Sequence, residues 1–164
     1  MLRKYILEHK LKKNLKARKS GSIIEFGRAG KVGIFFNDQE FNFDHVRELS
    51  HDLASEEREV TVLGYTPKLE HPVIYDVVVK NEISFDGTIK SREFLDFQNI
   101  EFDYLLSLNY DNDLTYLYLL SACKASCKVG FHESDTVDLQ TDLQLKSPRG
   151  TALKDLAKYL KMIR

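Results

Sequence analysis

The sequence predicts an α/β fold in which a mostly parallel β-sheet is flanked by helices. Short apolar runs alternate along the 164-residue chain with segments whose apolar residues recur every three or four positions. Parallel strands need long crossover connections, which helices normally supply. The chain contains only 3 Pro and 8 Gly, and it is long enough to enclose one hydrophobic core. We therefore expect a single Rossmann-like three-layer sandwich over residues 21–164, preceded by a basic helix over residues 1–20.

The N-terminal segment has the composition of a helix. Residues 2–19 contain neither Gly nor Pro and are rich in Leu, Lys and Arg. Leu7, Leu11 and Leu15 recur at every fourth position, which predicts a narrow apolar stripe that leans on the rest of the domain. The glycine at position 21 is expected to end the helix.

Six segments have the pattern of β-strands. Five are short apolar runs, and residues 137–145 alternate apolar and polar side chains, which is typical of a half-exposed strand near a sheet edge. Gly64 is expected to close the second strand. The five apolar runs span residues 31–36, 60–63, 77–79, 104–108 and 128–131.

Helical patterns lie between these strands. Val46 begins an amphipathic stripe, Ser91 and Asp113 are placed to cap helices, and Thr151 is placed to open the last one. The segment 114–122 is apolar on nearly all sides, so we expect it to be deeply buried or covered by a partner, including a second copy in a homodimer.

Charge is distributed unevenly along the chain. Residues 1–19 carry eight Lys or Arg and one acid, a net charge of +7, whereas the remainder carries 16 basic and 24 acidic side chains, a net charge of −8. Such asymmetry points to a partner that bears phosphates or anionic lipid headgroups. The candidate phosphate-docking residues are Arg3, Lys4, Lys10, Lys12, Lys13, Lys16, Arg18 and Lys19.

Two polar clusters follow the predicted strands 31–36 and 104–108, and His132 follows the predicted strand that ends at Phe131. Ligands of open α/β sheets bind beyond the carboxyl ends of the strands, where these clusters are expected to lie. Asn and Asp also cap helices and form tight turns, so a purely structural role is the alternative. The candidate ligand-binding residues are Asn37, Asp38, Asn109, Asp111, Asn112 and His132.

Common catalytic and cofactor motifs are absent from the sequence. There is no Walker loop, no nucleophile elbow and no H-E-x-x-H, and the glycines of residues 27–30 precede a strand rather than follow one. Cys123 and Cys127 have no second pair at zinc-ligand spacing and are expected to be reduced packing residues. We expect no cofactor, no metal and no catalytic residue. No signal peptide or transmembrane run is found, which predicts a soluble cytoplasmic protein.

Part of the sequence resembles a known family of enzymes. Residues 102–109, 114–122 and 128–131 are similar to the strand–helix–strand unit in the N-terminal half of heptosyltransferase-like GT-B glycosyltransferases, with its "FDxxIDL" and "(K/R)VGF" strands. That family binds the nucleotide-sugar mainly in a C-terminal domain, for which this chain has no room. Ser107 stands close to where the family has its acid, so the resemblance transfers no catalytic residue.

Nearly the whole chain resembles a small family of unknown function from Bacteroidetes. The similarity comprises the basic N-terminal helix, the turn at residues 85–87, the core segments just described and a final helix over residues 156–160.

Three functions follow as hypotheses. The first is a non-enzymatic accessory protein that docks on RNA or a ribosomal surface through its basic helix, with contacts directed to the phosphate backbone. The second is a degenerate or partner-completed glycosyltransferase half that binds a sugar or nucleotide. The third is peripheral attachment to an anionic membrane, which is disfavoured by the narrow apolar stripe.

Overall fold

A computed structural model of the chain describes residues 1–18, 21–55, 57–131 and 141–163. Its strands are β1 (Lys31–Asn37), β2 (Glu59–Thr66), β3 (Val77–Val79), β4 (Glu101–Leu108), β5 (Lys124–Phe131) and β6 (Leu143–Leu145). Its α-helices are α1 (Leu2–Ala17), α2 (Phe43–Leu53), α3 (Arg92–Gln98), α4 (Leu114–Ala122) and α5 (Ala152–Met162).

The strands form one sheet in the order β3-β2-β1-β4-β5-β6, and every neighbouring pair is parallel. This is the strand order of the doubly wound dinucleotide-binding fold. The chain moves from β1 outward through β2 to β3, returns to the middle at β4, and then proceeds to the other edge. The predicted Rossmann-like α/β fold is confirmed.

Two hydrophobic cores occupy the two faces of the sheet. On one face, side chains of β1, β4 and β5 pack against α2 and α5 around Val46, Leu49 and Leu156. On the other face, Phe35 and Leu105 pack against α3 and α4. Because successive side chains of a strand point to opposite faces, the apolar runs supply both cores at once.

Helix α1 covers the outer side of α4. Leu7 is buried in the same core as Phe94 and Leu119. The amide of Asn14 donates to Oγ of Ser121 at 3.0 Å, which joins α1 to α4 through a polar contact. The predicted burial of α4 is confirmed, and its cover belongs to the same chain. The proposed division of the chain at residue 20 stays a prediction.

Two helix caps form as the sequence predicts. The Ser91 hydroxyl accepts from the Phe94 N–H at 3.2 Å, and the Asp113 carboxylate accepts from the Thr115 N–H at 2.8 Å. Within the part of the chain that the structure describes, no helix is both long enough and apolar enough to cross a bilayer.

Two expectations about glycines were wrong. Helix α1 ends at Ala17, with Arg18 as its C-cap, so Gly21 lies beyond the capping position. Gly64 does not close β2, which continues to Thr66. A Cβ atom at Gly64 would lie 2.8 Å from the ring of Tyr75, so this glycine makes room for an aromatic side chain.

Candidate functional site

The two predicted polar clusters meet at the carboxyl edge of the sheet. Asn37 ends β1, Asn109 follows the neighbouring β4, and both are buried at 2% and 8% exposure. Nδ2 of Asn37 donates to Oδ1 of Asn109 across 3.0 Å. The helices that follow these strands, α2 and α4, lie on opposite faces, so this is the switch point of the sheet. The central amides thus lie where such folds bind ligands, but they bind each other.

Glu40, which sequence analysis did not single out, holds the two loops together. Its carboxylate accepts from Nδ2 of Asn37 at 3.2 Å, from the N–H of Tyr110 at 3.0 Å and from the N–H of Asp111 at 3.2 Å. The guanidinium of Arg149 lies 3.7 Å away, and only 4% of the Glu40 side chain is exposed. Burial raises the pKa of this carboxyl above its usual value of 4.5, against the opposing effect of the N–H donors. An acid in a loop carries no sequence signal for this long-range role.

Two tyrosines extend the network outward along the sheet edge. The hydroxyl of Tyr75 donates to Asp38 at 3.2 Å, and the hydroxyl of Tyr65 donates to Asp113 at 2.8 Å. Burial and the neighbouring carboxylate raise the pKa of Tyr75 to about 12, and the same two causes raise the pKa of Tyr65. Both hydroxyls therefore remain protonated at neutral pH and act as hydrogen-bond donors.

The remaining predicted ligand-binding residues are placed differently. Asp111 and Asn112 are exposed on the loop after β4. His132 lies outside the described residues. Among the described residues, no three His, Cys, Asp or Glu side chains are grouped so that they could hold a metal ion. Most polar atoms at the switch point form hydrogen bonds that connect the loops after β1 and β4. The Asp111 carboxylate and the Asn112 amide are exposed to solvent.

The basic residues of α1 divide into two groups. Three of them face the body of the domain and fix the helix there. Nη2 of Arg3 lies 3.4 Å from the carbonyl oxygen of Lys80, and Arg18 forms an ion pair with Asp142. The aliphatic stem of Lys10 packs against the turn at Gly87. Among the described residues, Gly87 is the one glycine with a left-handed backbone conformation, at a φ of +82°.

Four lysines of α1 are exposed, namely Lys4, Lys12, Lys13 and Lys16, and Lys4 also borders an open cavity of the domain. Lys4 lies 3.9 Å from Glu8, and the other three make no ion pair within the described part of the chain. Lys19 lies outside the described residues. Composition alone did not separate the lysines that anchor the helix from those that face solvent.

The outward face of α1 also carries aromatic side chains. Tyr5 is 68% exposed and His9 is exposed. Together with Lys12 and Lys16 they follow the spacing i, i+4, i+7 and i+11, which places them along one side of a helix. The leucine stripe is less exposed than this side, since Leu7 is buried against the body and Leu11 and Leu15 are half-buried.

The two cysteines are buried in different cores. Burial raises the pKa of each thiol to about 12. The thiolate, which is the nucleophile and the metal ligand, is therefore scarce at neutral pH. Near Cys123, the buried Lys128 donates from Nζ to the Leu120 carbonyl at 2.8 Å, and so satisfies the C-terminal end of α4.

Comparison with known proteins gives a family without an assigned activity. No curated protein and no solved structure matches the chain. A family model matches residues 3–163, which is almost the whole length of the sequence. The chain belongs to this family, which is described as a family of unknown function (DUF6913).

Proposed function

We propose that this protein is a non-enzymatic accessory protein that docks on RNA, including a ribosomal RNA surface, through the outward face of α1. The observation that carries the proposal is the separation of the basic residues on this helix. Arg3, Lys10 and Arg18 hold the helix on the domain, and Lys12, Lys13 and Lys16 remain exposed. These three exposed lysines make no ion pair within the described part of the chain, so their charges are available to a phosphate-bearing partner.

Charge complementarity favours nucleic acid as that partner. The single acid of the helix, Glu8, is engaged near Lys4, so the surface around Lys13 and Lys16 is basic. Lysines that neutralise phosphates release condensed counterions, which gives affinity without sequence specificity. The exposed ring of Tyr5 lies on the same side and offers a surface on which an unpaired base can stack.

Helix α1 is also held rigidly enough to present this surface. The ion pair of Arg18 with Asp142 fixes its C-terminal end, the bond of Asn14 to Ser121 fixes its middle, and Leu7 is buried. A preorganised surface loses less conformational entropy on binding than a mobile tail.

The membrane alternative has less support. Leu7, Leu11 and Leu15 would have to enter the lipid, but they pack toward the protein. Four of the eight exposed residues of α1 are lysines, which suits the phosphates of RNA, whereas Leu2 and Tyr5 are the only large apolar side chains that the described helix exposes. The argument for a homodimer through α4 also weakens, because α1 covers that helix. A cytoplasmic location stays a prediction.

A second candidate function is sugar or nucleotide binding by a glycosyltransferase-like half-domain. The sheet order β3-β2-β1-β4-β5-β6, with its switch point at Asn37 and Asn109, supports this alternative, as does the similarity of the β4–α4–β5 sequence to the N-terminal half of heptosyltransferase-like enzymes. A nucleotide-sugar that binds the folded state raises the melting temperature by mass action. No response to a panel of nucleotide-sugars would remove this candidate.

The RNA proposal is tested by fluorescence anisotropy with a labelled, unstructured RNA. A triple variant carrying K12A, K13A and K16A is compared with one carrying K154A, K158A and K161A, which loses the same charge from α5. We expect the α1 variant to lose most of its affinity and the α5 variant to retain it. For wild type, three phosphate contacts correspond to a slope of roughly −2 in a plot of log affinity against log salt. Equal affinity of both variants would contradict the proposal.

A further inference from the structure

An open cavity of about 510 Å³ lies at the carboxyl edge of the sheet, on the face that carries α4. Its walls come from the first two turns of α1, the residue that follows β3, and the loop that leads from β4 into α4. The volume falls in the range of small-molecule sites. It is separate from the buried pair of Asn37 and Asn109, neither of which lines it. The lining side chains therefore indicate which ligand it would accept.

Three cations from two segments converge on this cavity. Arg3 and Lys4 come from α1, and Lys80 comes from the turn after β3. The Arg3 guanidinium is oriented by the carbonyl oxygens of Lys80 and Ile83, at 3.4 and 3.5 Å. Its Nε is buried and has no hydrogen-bond partner in the described part of the chain. A cation held by neutral carbonyls keeps its full charge available to an anion.

The cavity is also lined by the two carboxylates of Asp111 and Asp113, so its three cations leave it a net charge of +1. The Asp113 carboxylate is engaged by the Tyr65 hydroxyl at 2.8 Å and by the Thr115 N–H at 2.8 Å. Asp111 is exposed at the rim. Leu7 and Leu114 supply apolar wall. The site thus combines cations for an anionic group, a carboxylate that accepts from hydroxyl groups, and a small apolar surface.

We propose that this cavity binds the phosphate monoester of a small polyhydroxylated compound, of the chemical class of the sugar phosphates. Lys80, Lys4 and Arg3 contact the phosphate, because cationic donors form the strong, charge-assisted bonds to phosphate oxygens. Asp111 accepts hydrogen bonds from the hydroxyl groups, and the leucine side chains contact the C–H surface of the carbon skeleton. The proposal does not depend on RNA docking, since Lys12, Lys13 and Lys16 do not line the cavity.

Isothermal titration with ribose 5-phosphate and glucose 6-phosphate tests the proposal, with ribose, glucose and inorganic phosphate as comparison ligands. We expect at least one sugar phosphate to bind and its unphosphorylated sugar to fail. The variant K80A should weaken binding roughly ten- to hundredfold, the loss expected for one charge-assisted hydrogen bond. K90A removes an exposed lysine that does not line the cavity and should bind like wild type. Thermal melts without ligand establish that each variant is folded, and K80E provides a second substitution with a larger loss.

The possible results of these titrations separate failure of the sugar phosphate proposal from failure of the RNA proposal. Absence of binding by both sugar phosphates at millimolar concentration would overturn the proposal, as would equal binding by the free sugars or undiminished binding to K80A. The K12A, K13A and K16A triple variant separates this site from RNA docking. Retained sugar phosphate binding by that variant, together with lost RNA binding, supports two separate sites. Loss of sugar phosphate binding in the folded triple variant would contradict the assignment to Lys80, Lys4 and Arg3.

Discussion

Nδ2 of Asn37 lies 3.0 Å from Oδ1 of Asn109, so the carboxyl ends of β1 and β4 are joined directly by two buried amides. This hydrogen bond joins the end of β1 to the residue after β4 at the switch point of the sheet, where related architectures leave a crevice for a ligand. Residues selected from the sequence as candidate ligand contacts thus connect two loops.

The first prediction concerns this pair. N37A and N109A should each lower the free energy of unfolding by about 1–3 kcal/mol, because N37A leaves Oδ1 of Asn109 without its donor and N109A removes one acceptor of the Asn37 amide and the donor to the Asp111 carbonyl. In a double-mutant cycle the two substitutions should couple by about 0.5–3 kcal/mol. Urea denaturation measures both quantities. N112A, at an exposed neighbouring position, is the control and should change stability by less than about 0.5 kcal/mol. Additive losses would show that the two amides do not stabilise each other.

Glu40 gives the second prediction, on pH. Its pKa in the folded protein lies above the usual 4.5 because the carboxyl is buried. Just above pH 4.5 the folded state therefore binds more protons than the unfolded state. The contribution of Glu40 to the free energy of unfolding decreases as the pH rises through this range. In E40Q that part of the pH dependence should vanish. Urea titrations of both proteins at pH 4.5, 5.5 and 6.5 measure it, and parallel curves would contradict the prediction.

The sequence predicted most of the architecture because the responsible signals are local. Ser91 and Asp113 cap helices that begin at the next residue, so the signal for each cap is local. The apolar run that ends at Phe36 predicts a buried strand from its composition alone. The candidate site was predicted only in part. Glu40 bonds to backbone groups some 70 residues away, and this pairing exists only after the strands have assembled.

Amino-acid composition also could not predict which side of α1 faces the body of the domain. Arg3 and Lys10 face the body, and Lys12 and Lys16 face solvent, yet all are basic residues of one helix. Which side of a basic helix turns inward depends on carbonyl and carboxylate partners such as Asp142, which lies 124 residues along the chain from Arg18.

The third prediction concerns Gly64. A Cβ atom there would lie 2.8 Å from the ring of Tyr75 and 3.0 Å from the ring of Phe36. G64A should therefore destabilise the protein by about 1–3 kcal/mol through overpacking. At Gly27 no atom lies within 4 Å of the position that a Cβ would occupy, so G27A is the matched control and should be nearly neutral. Thermal melts compare the two variants. A neutral G64A would show that the aromatic rings shift at little cost.

The cysteines give a fourth prediction. Cys123 and Cys127 are buried, and the pKa of each is raised to about 12. Folded protein at pH 8 should react with 5,5′-dithiobis(2-nitrobenzoic acid) far more slowly than protein unfolded in urea, because little thiolate is present and access is blocked. Absorbance at the thionitrobenzoate band follows the reaction. Rapid labelling of the folded protein would show that one thiol is accessible and ionised.

The central claim is that α1 docks the protein on RNA through its exposed lysines, and the most direct measurement is sedimentation of tagged protein from cell lysate through a sucrose gradient at low and high salt. We predict that wild type co-migrates with ribosomes or other RNA at low salt and is released by high salt or ribonuclease, as counterion release requires. The K12A, K13A and K16A variant should remain at the top of both gradients, whereas the K154A, K158A and K161A variant should behave like wild type. Migration of wild type as a free small protein at both salt concentrations would contradict the claim.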